Sequence, residues 1–443
     1  MQRRAGLPLE VSTHGRFSQI ELHEEVIIPF LIALLVLAFS LWQVPLQAAR
    51  STDDRHLACL IPIFMVLGGS LVHKALAITT ASPRQDSPHF GCGWLAYSFS
   101  TLLPAISGTH ELLPMPDMHC KVLNLKSGYA LDNNSWLLSR VLRDLESLSV
   151  RRTSNEGISI EILDLVAPIK PLSWYATVCA NTASMVIMFS QLAIAIFTIY
   201  ARRDTSVFLL FSLCVMLMQT VVSLPAWREQ KFCARKDGSK DAACALMRGN
   251  GHRYVSIIRN ADPDAWNIED LAGACQTHYD YSRTLEGPIL ILTFLVFLAF
   301  TCLSTYLDNT NVVYMLLILA LGTVGNVVTV ALPRESWAHG LNLESVGVIS
   351  DDRGVMKALQ RLEEGYEGLG EPLVNEFFPG GLRLNEELWW ADIKGKRMER
   401  KAHEEEGMGS MHRKVGTEKG RNDGMDDWLF MPVNVPDIQD IEM

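Results

Sequence analysis

Six residues carry polar groups inside otherwise apolar runs: His73, Lys74, Asn181, Gln191, Gln219 and Asn326. Hydrocarbon supplies no hydrogen-bond partner, so such groups either line a polar pathway or tie helices together. No Asp or Glu accompanies them within the runs, which argues against an ion-coupled carrier. Lys74 lies late in its run, where its stem can reach a headgroup layer. Gln191 and Gln219 read as interhelical ties. A tie of this kind contributes about 0.6 kcal/mol, so leucine at both positions should leave folding nearly normal. Gly68-Gly69 is a flexible point or a packing notch.

Other spacings are weaker. Cys275-x-x-His278, with His119-Cys120, has metal-compatible spacing but lacks a preorganised fourth ligand. Gly249-Asn250-Gly251 resembles a phosphate-cradling loop, yet no lysine and no helix follow it, so a hairpin turn is the better reading. No G-x-S-x-G, H-E-x-x-H or Walker-type loop is present. The sequence therefore assigns no catalytic residue, cofactor or metal, and a non-enzyme is expected. Net charge of −10 gives no reason to expect nucleic acid. Five of the nine cysteines lie in large loops, an odd number that favours a reducing compartment.

The elements that position these residues are mostly apolar runs. A bilayer core needs roughly 20 apolar residues per helix, and six stretches qualify: 26–44, 57–79, 174–200, 207–227, 288–306 and 312–332. The expected fold is an α-helical polytopic membrane protein with six spans in three hairpins (26–79, 174–227 and 288–332). Tryptophans and tyrosines such as Trp42, Trp174, Tyr200 and Trp227 sit at span ends, as an interfacial belt requires. All large pieces fall on one side: the tail 1–25, the insertions 80–173 and 228–287, the segment 333–391 and the charged tail 392–443. Ten basic residues flank the spans on that side against four on the other, which predicts a cytoplasmic location. The short apolar stretch 92–106, broken by Pro104, reads as an interfacial or re-entrant helix.

The outside pieces carry their own patterns. Residues 120–125 read as a strand, and Asn133 or Asn134 as the cap of a helix burying Leu137, Leu138, Val141, Leu142, Leu145 and Leu148. Arg140, Arg143, Asp144 and Glu146 fall mostly on its other face. Residues 158–163 alternate like a half-buried strand. Two strands flank the Gly-Asn-Gly turn, Trp266–Cys275 reads as a short helix, and Val346–Ile349 as a further strand, followed by a helix that Asp351 or Asp352 can cap. None could bury a core alone, so they are expected to pack as one composite cytoplasmic α/β domain. Residues 392–427 have almost no aliphatics and predict disorder.

The fragments CKVLNLKSGY (120–129), LPAWR (224–228), RGNG (248–251), VGVI (346–349) and FFPG (377–380) resemble a set of multi-spanning membrane proteins from filamentous fungi that has no assigned activity. The resemblance runs from about residue 26 to 393. Arg259-Asn260-Ala261 departs from it, where a second glycine-containing turn is expected. It implies a fungal integral membrane protein and carries over no site residue. The expected function is a membrane-anchored interaction or sensing module with the lipid bilayer and a cytoplasmic protein as partners. A six-span transporter or channel is the alternative.

Overall fold

The computed structural model describes residues 57–82, 87–107, 112–152, 157–166, 174–236, 242–274, 283–351 and 354–400. The expected first span and the pair Cys275 and His278 lie outside them. The chain divides into two units, residues 1–377 and 378–443.

The six-span expectation is corrected by the helices of the first unit. Among the described residues only two are long and apolar enough to cross a membrane: Thr182–Arg202, within α5 (Trp174–Arg202), and α10 (Asn309–Ala331). A third crossing is possible only if a bent pair is counted. The run 57–79 splits into α1 (Leu60–Val66) and α2 (Gly69–Thr79), bent by 55°. The break sits at Gly68, whose φ of +90° is left-handed and suits a residue without a side chain. The run 207–227 also falls short, because α6 (Ser206–Val222) ends before Pro225 and a separate turn, α7 (Ala226–Lys231), follows. The apolar part of α9 (Arg283–Ser304) covers only Pro288–Ser304. Apolar length in sequence therefore overstated helix length in space. Even so, α5 and α10 place the chain in a membrane, and α5 presents Val186, Phe189, Ile196 and Phe197 on its exposed side.

Helix α3 (Trp94–Ser107) is the short stretch flagged in the sequence. It packs on α9, α2 and α1, while α10 packs on α5 and α2. Phe90, Trp94, Tyr97, Phe297 and Phe300 form the aromatic centre of this core, with Trp94 stacked on Phe297 at 5.6 Å.

The insertions meet in one six-stranded sheet. Its strands are β1 (Lys121–Asn124), β2 (Ala130–Asp132), β3 (Ile158–Leu165), β4 (Ala243–Met247), β5 (Tyr254–Asn260) and β6 (Leu343–Asp351). The order is β2-β1-β4-β5-β3-β6, antiparallel except for the parallel β5–β3 pair. Gly249 and Gly251, with φ of +99° and +93°, turn the β4–β5 hairpin. One face carries α4 (Trp136–Arg152) and α8 (Ile268–Gly273), whose Leu137, Val141, Ile268 and Leu271 pack with Val122, Leu246 and Ile258. Helix α11 (Val355–Gly365) crosses β3 and β6 and contacts α12 (Glu371–Phe377).

Three local expectations change. Strand β3 is buried on both faces, so the polar positions of 158–163 point into protein: Glu161 accepts from Tyr254 Oη at 2.7 Å and from Ser345 Oγ at 3.1 Å. Gly354 precedes α11, and Asp351 pairs instead with Arg361 at 3.0 Å. In the second unit residues 384–400 are helical, which carries a helix into the stretch whose composition predicted disorder.

Val141 is fully buried beneath the sheet. Val141→Asp should cost about 3–5 kcal/mol, as an uncompensated buried charge does. Faster hydrogen exchange in 254–258 and 346–349, not only in 136–152, is the expected signature of one cooperative unit. Exchange raised in α4 alone would mean separate fragments.

Candidate functional site

Two buried polar assemblies occur in the first unit, one inside the helical core and one where that core meets the sheet.

The first surrounds a non-helical segment, His89–Gly93, lodged against α10. Glycines permit the approach. A Cβ on Gly322 would lie 1.7 Å from the Phe90 carbonyl oxygen, and one on Gly325 would lie 2.4 Å from the His89 ring. A non-helical backbone here has polar groups without helical partners, and each must be satisfied internally. Asn326 does this at His89, its Oδ1 accepting from the backbone N–H and its Nδ2 donating to the carbonyl, both at 2.8 Å. Gln191 Nε2 donates to the carbonyls of Phe90 and Ile318, each at 2.8 Å. Thr323 Oγ1 accepts from Cys92 N–H at 2.8 Å, and Phe64 O accepts from Gly93 N–H at 3.0 Å. Asn326 lies five residues inside the end of α10, about 8 Å along its axis.

The six sequence-flagged residues therefore separate. Asn326 and Gln191 converge on this segment. His73 and Lys74 point to the linker after α3: His73 Nε2 lies 2.6 Å from Leu112 O, and Lys74 pairs with Asp117 at 2.7 Å. Gln219 is half-buried, and only its carbonyl is engaged among the described residues, by Ser223. The side chain of Asn181 lies outside the described residues.

The second assembly was not legible, because its residues read as a solvated helix face and as flanking charges. Arg140 and Asp144, an i,i+4 pair on α4, are both buried. Arg140 Nη2 donates to the carbonyls of Val330 and Leu332 at 2.9 and 3.3 Å, capping the C-terminal end of α10, and its Nε reaches Asp144 at 3.2 Å. Lys231 does the same for α2, donating to Ala77 O and Thr80 O at 3.2 and 3.0 Å beside the Trp136 ring. Cations suit these ends because unpaired carbonyls and the helix dipole make them negative. Asp144 Oδ2 also accepts from Arg334 N–H at 3.1 Å and faces His339 Nε2 at 2.8 Å. Asp117 adds a second carboxylate, 3.7 Å from Arg140 and 3.6 Å from Arg143.

The electrostatics follow from burial. Burial opposes ionisation of Asp144, but the hydrogen bond from His339 and the Arg140 charge outweigh it and hold the carboxyl below its ordinary value. Burial pushes His339 down to about 4 and Lys231 down to about 7. His339 is therefore neutral at pH 7. Its Nδ1 makes no hydrogen bond, nor does Asp144 Oδ1. The arrangement joins elements. No group of three or more metal-binding side chains occurs among the described residues.

No family model, curated protein or solved structure matches this chain. The resemblance to multi-spanning fungal proteins is thereby corrected: no family match supports it, and among the described residues the helices that qualify as spans number two, or three with the bent pair.

Two outcomes are expected. Asn326→Leu leaves both backbone groups of His89 unpaired and should cost about 2–6 kcal/mol at 1–3 per group, whereas Gln219→Leu should be near neutral. Thermal unfolding in detergent decides it, and equal stabilities would remove the role given to Asn326. The expectation that leucine at Gln191 is harmless is revised in the same sense. Second, His339 folds with a depressed pKa, about 4 against 6.5. The unfolded chain then binds the extra proton between these values, so stability present above pH 6.5 is lost as pH falls towards 4, by up to about 3 kcal/mol. His339→Gln should flatten this dependence, and an unchanged slope would place the titration elsewhere.

Proposed function

We propose that the protein is a non-enzymatic, membrane-anchored module whose α/β domain, on the cytoplasmic side, engages or senses a partner and is mechanically coupled to the helices beneath it. The observation that carries this reading is the seam. Arg140 and Asp144 belong to a helix packed under the sheet, yet they hold the end of α10 and the Arg334–His339 segment. Lys231 holds the end of α2. Displacing α4 would break charge-assisted contacts to α10, because buried charges cannot exchange these partners for water. The cytoplasmic assignment is supported by Cys92 and Cys120, free thiols outside the spans, as a reducing compartment keeps them.

A solute pathway has one observation in its favour, the break at Gly68, since discontinuous helices line many transport sites. Against it, the Gln191 Nε2 and both polar atoms of the Asn326 amide are committed to backbone groups.

The test is rescue of a strain lacking the gene, scored for growth across solute and stress conditions. Apolar replacement of a buried ionic group is tolerated in favourable cases, so Arg140→Met/Asp144→Leu should reach the membrane at normal level but fail to rescue. Gln219→Leu should rescue. Full rescue by the seam variant would discard the coupling, and failure of Gln219→Leu at normal membrane level would favour transport.

A further inference from the structure

At the end of the sheet away from the Gly-Asn-Gly turn, where β1 and β5 finish and β4 starts, there is a cleft of about 150 Å³. This is the space of roughly five waters at ~30 Å³ each. Its floor is apolar, from Cys244, Ile258 and Ile268, all buried. Asn260 lines it and is only 4% exposed, yet its side-chain amide makes no hydrogen bond with any described residue. Its amide atoms are not sealed from solvent, so they open onto the cleft and can pair with a molecule bound there. Two opposite charges stand among the described residues of the lining. Glu269 has one carboxylate oxygen engaged by Asn124 Nδ2 at 2.8 Å, leaving the other available. Lys126 is exposed, and its ammonium pairs with no described residue.

We infer that this cleft is a binding site for a small zwitterion of amino-acid size, with its ammonium towards Glu269, its carboxylate towards Lys126 and a short side chain over Cys244 and Ile258. The charge pattern selects the class. One cation and one anion create no net field for a lone ion, whereas a molecule bearing both charges satisfies each. The Asn260 amide can donate to a carboxylate or accept from an ammonium, so it serves either end. The volume limits the side chain to a few atoms. This inference stands independently of the coupling at the seam, which lies on other residues.

The experiment uses the full chain in detergent, with calorimetric titration and thermal unfolding against glycine, alanine and serine. Acetate and methylammonium serve as single-charge controls and tryptophan as an oversized one. At least one of the three small amino acids should bind saturably, with Kd no weaker than about 10 mM, and the controls should not. Lys126→Ala, an exposed change that leaves the fold intact, should weaken binding at least about tenfold, the effect of losing one charged contact. Asn260→Leu should abolish binding; if it unfolds, the Lys126→Ala result decides alone. No saturable binding by any small amino acid overturns the site, as does equal binding by the single-charge controls or an unchanged affinity in Lys126→Ala.

Discussion

A stretch of non-helical backbone buried among apolar helices must have its N–H and carbonyl groups satisfied, and at His89–Gly93 side chains of α5 and α10 do most of this. Asn326 supplies an acceptor and a donor to the same residue, reproducing what a neighbouring strand would offer. Gln191, Thr323 and Phe64 complete the set. Most of the packing around this segment depends on that pairing. The segment leads directly into α3, whose Trp94 and Tyr97 sit in the aromatic core, and Gly93 can reach the break at Gly68 only because Gly93 has no side chain. A Cβ on Gly93 would lie 2.5 Å from the Gly68 carbonyl carbon. Small residues on α10 and amides on α5 and α10 therefore act together: the first let the backbone in, and the second satisfy it.

The seam between core and sheet applies the same rule to charges. Two helices end in protein and not in water, so their last carbonyls need donors, and the donors are cations delivered by other elements. Buried cations need anions in turn, which Asp144 and Asp117 provide. Each group is costly alone and favourable only in the company of the others. Such an assembly is a poor source of net stability but fixes geometry strictly, which is the property a coupling element needs.

Within the sheet, satisfaction is mostly backbone to backbone, and the side chains that matter are exceptions. Glu161 is held in the interior by Tyr254 and Ser345 on the strands either side of β3. Asn260, at the end of β5, has no such neighbours and faces the cleft instead.

Much of the local structure was written in the chain. Apolar runs announced membrane helices, the 3.6-residue period of Leu137, Val141 and Leu142 announced α4, and Gly249-Asn250-Gly251 announced a hairpin, because period and φ freedom are local properties. What periodicity could not decide was where a run breaks. Gly68 and Pro225 divide stretches that composition alone joined, so six spans were read where, among the described residues, two helices and one bent pair qualify. Nor could the sequence tell an exposed charge from a buried one. Arg140 and Asp144 sit on the polar face of an amphipathic helix, and that face would be solvated if the helix were alone. It is buried because the ends of α2 and α10 arrive there, from segments far away in the chain. Gln191 and Asn326 were identifiable as polar residues in apolar helices. Their partners are backbone groups some 100 to 240 residues distant in sequence, which carry no side-chain signature, so only the tertiary structure could reveal them.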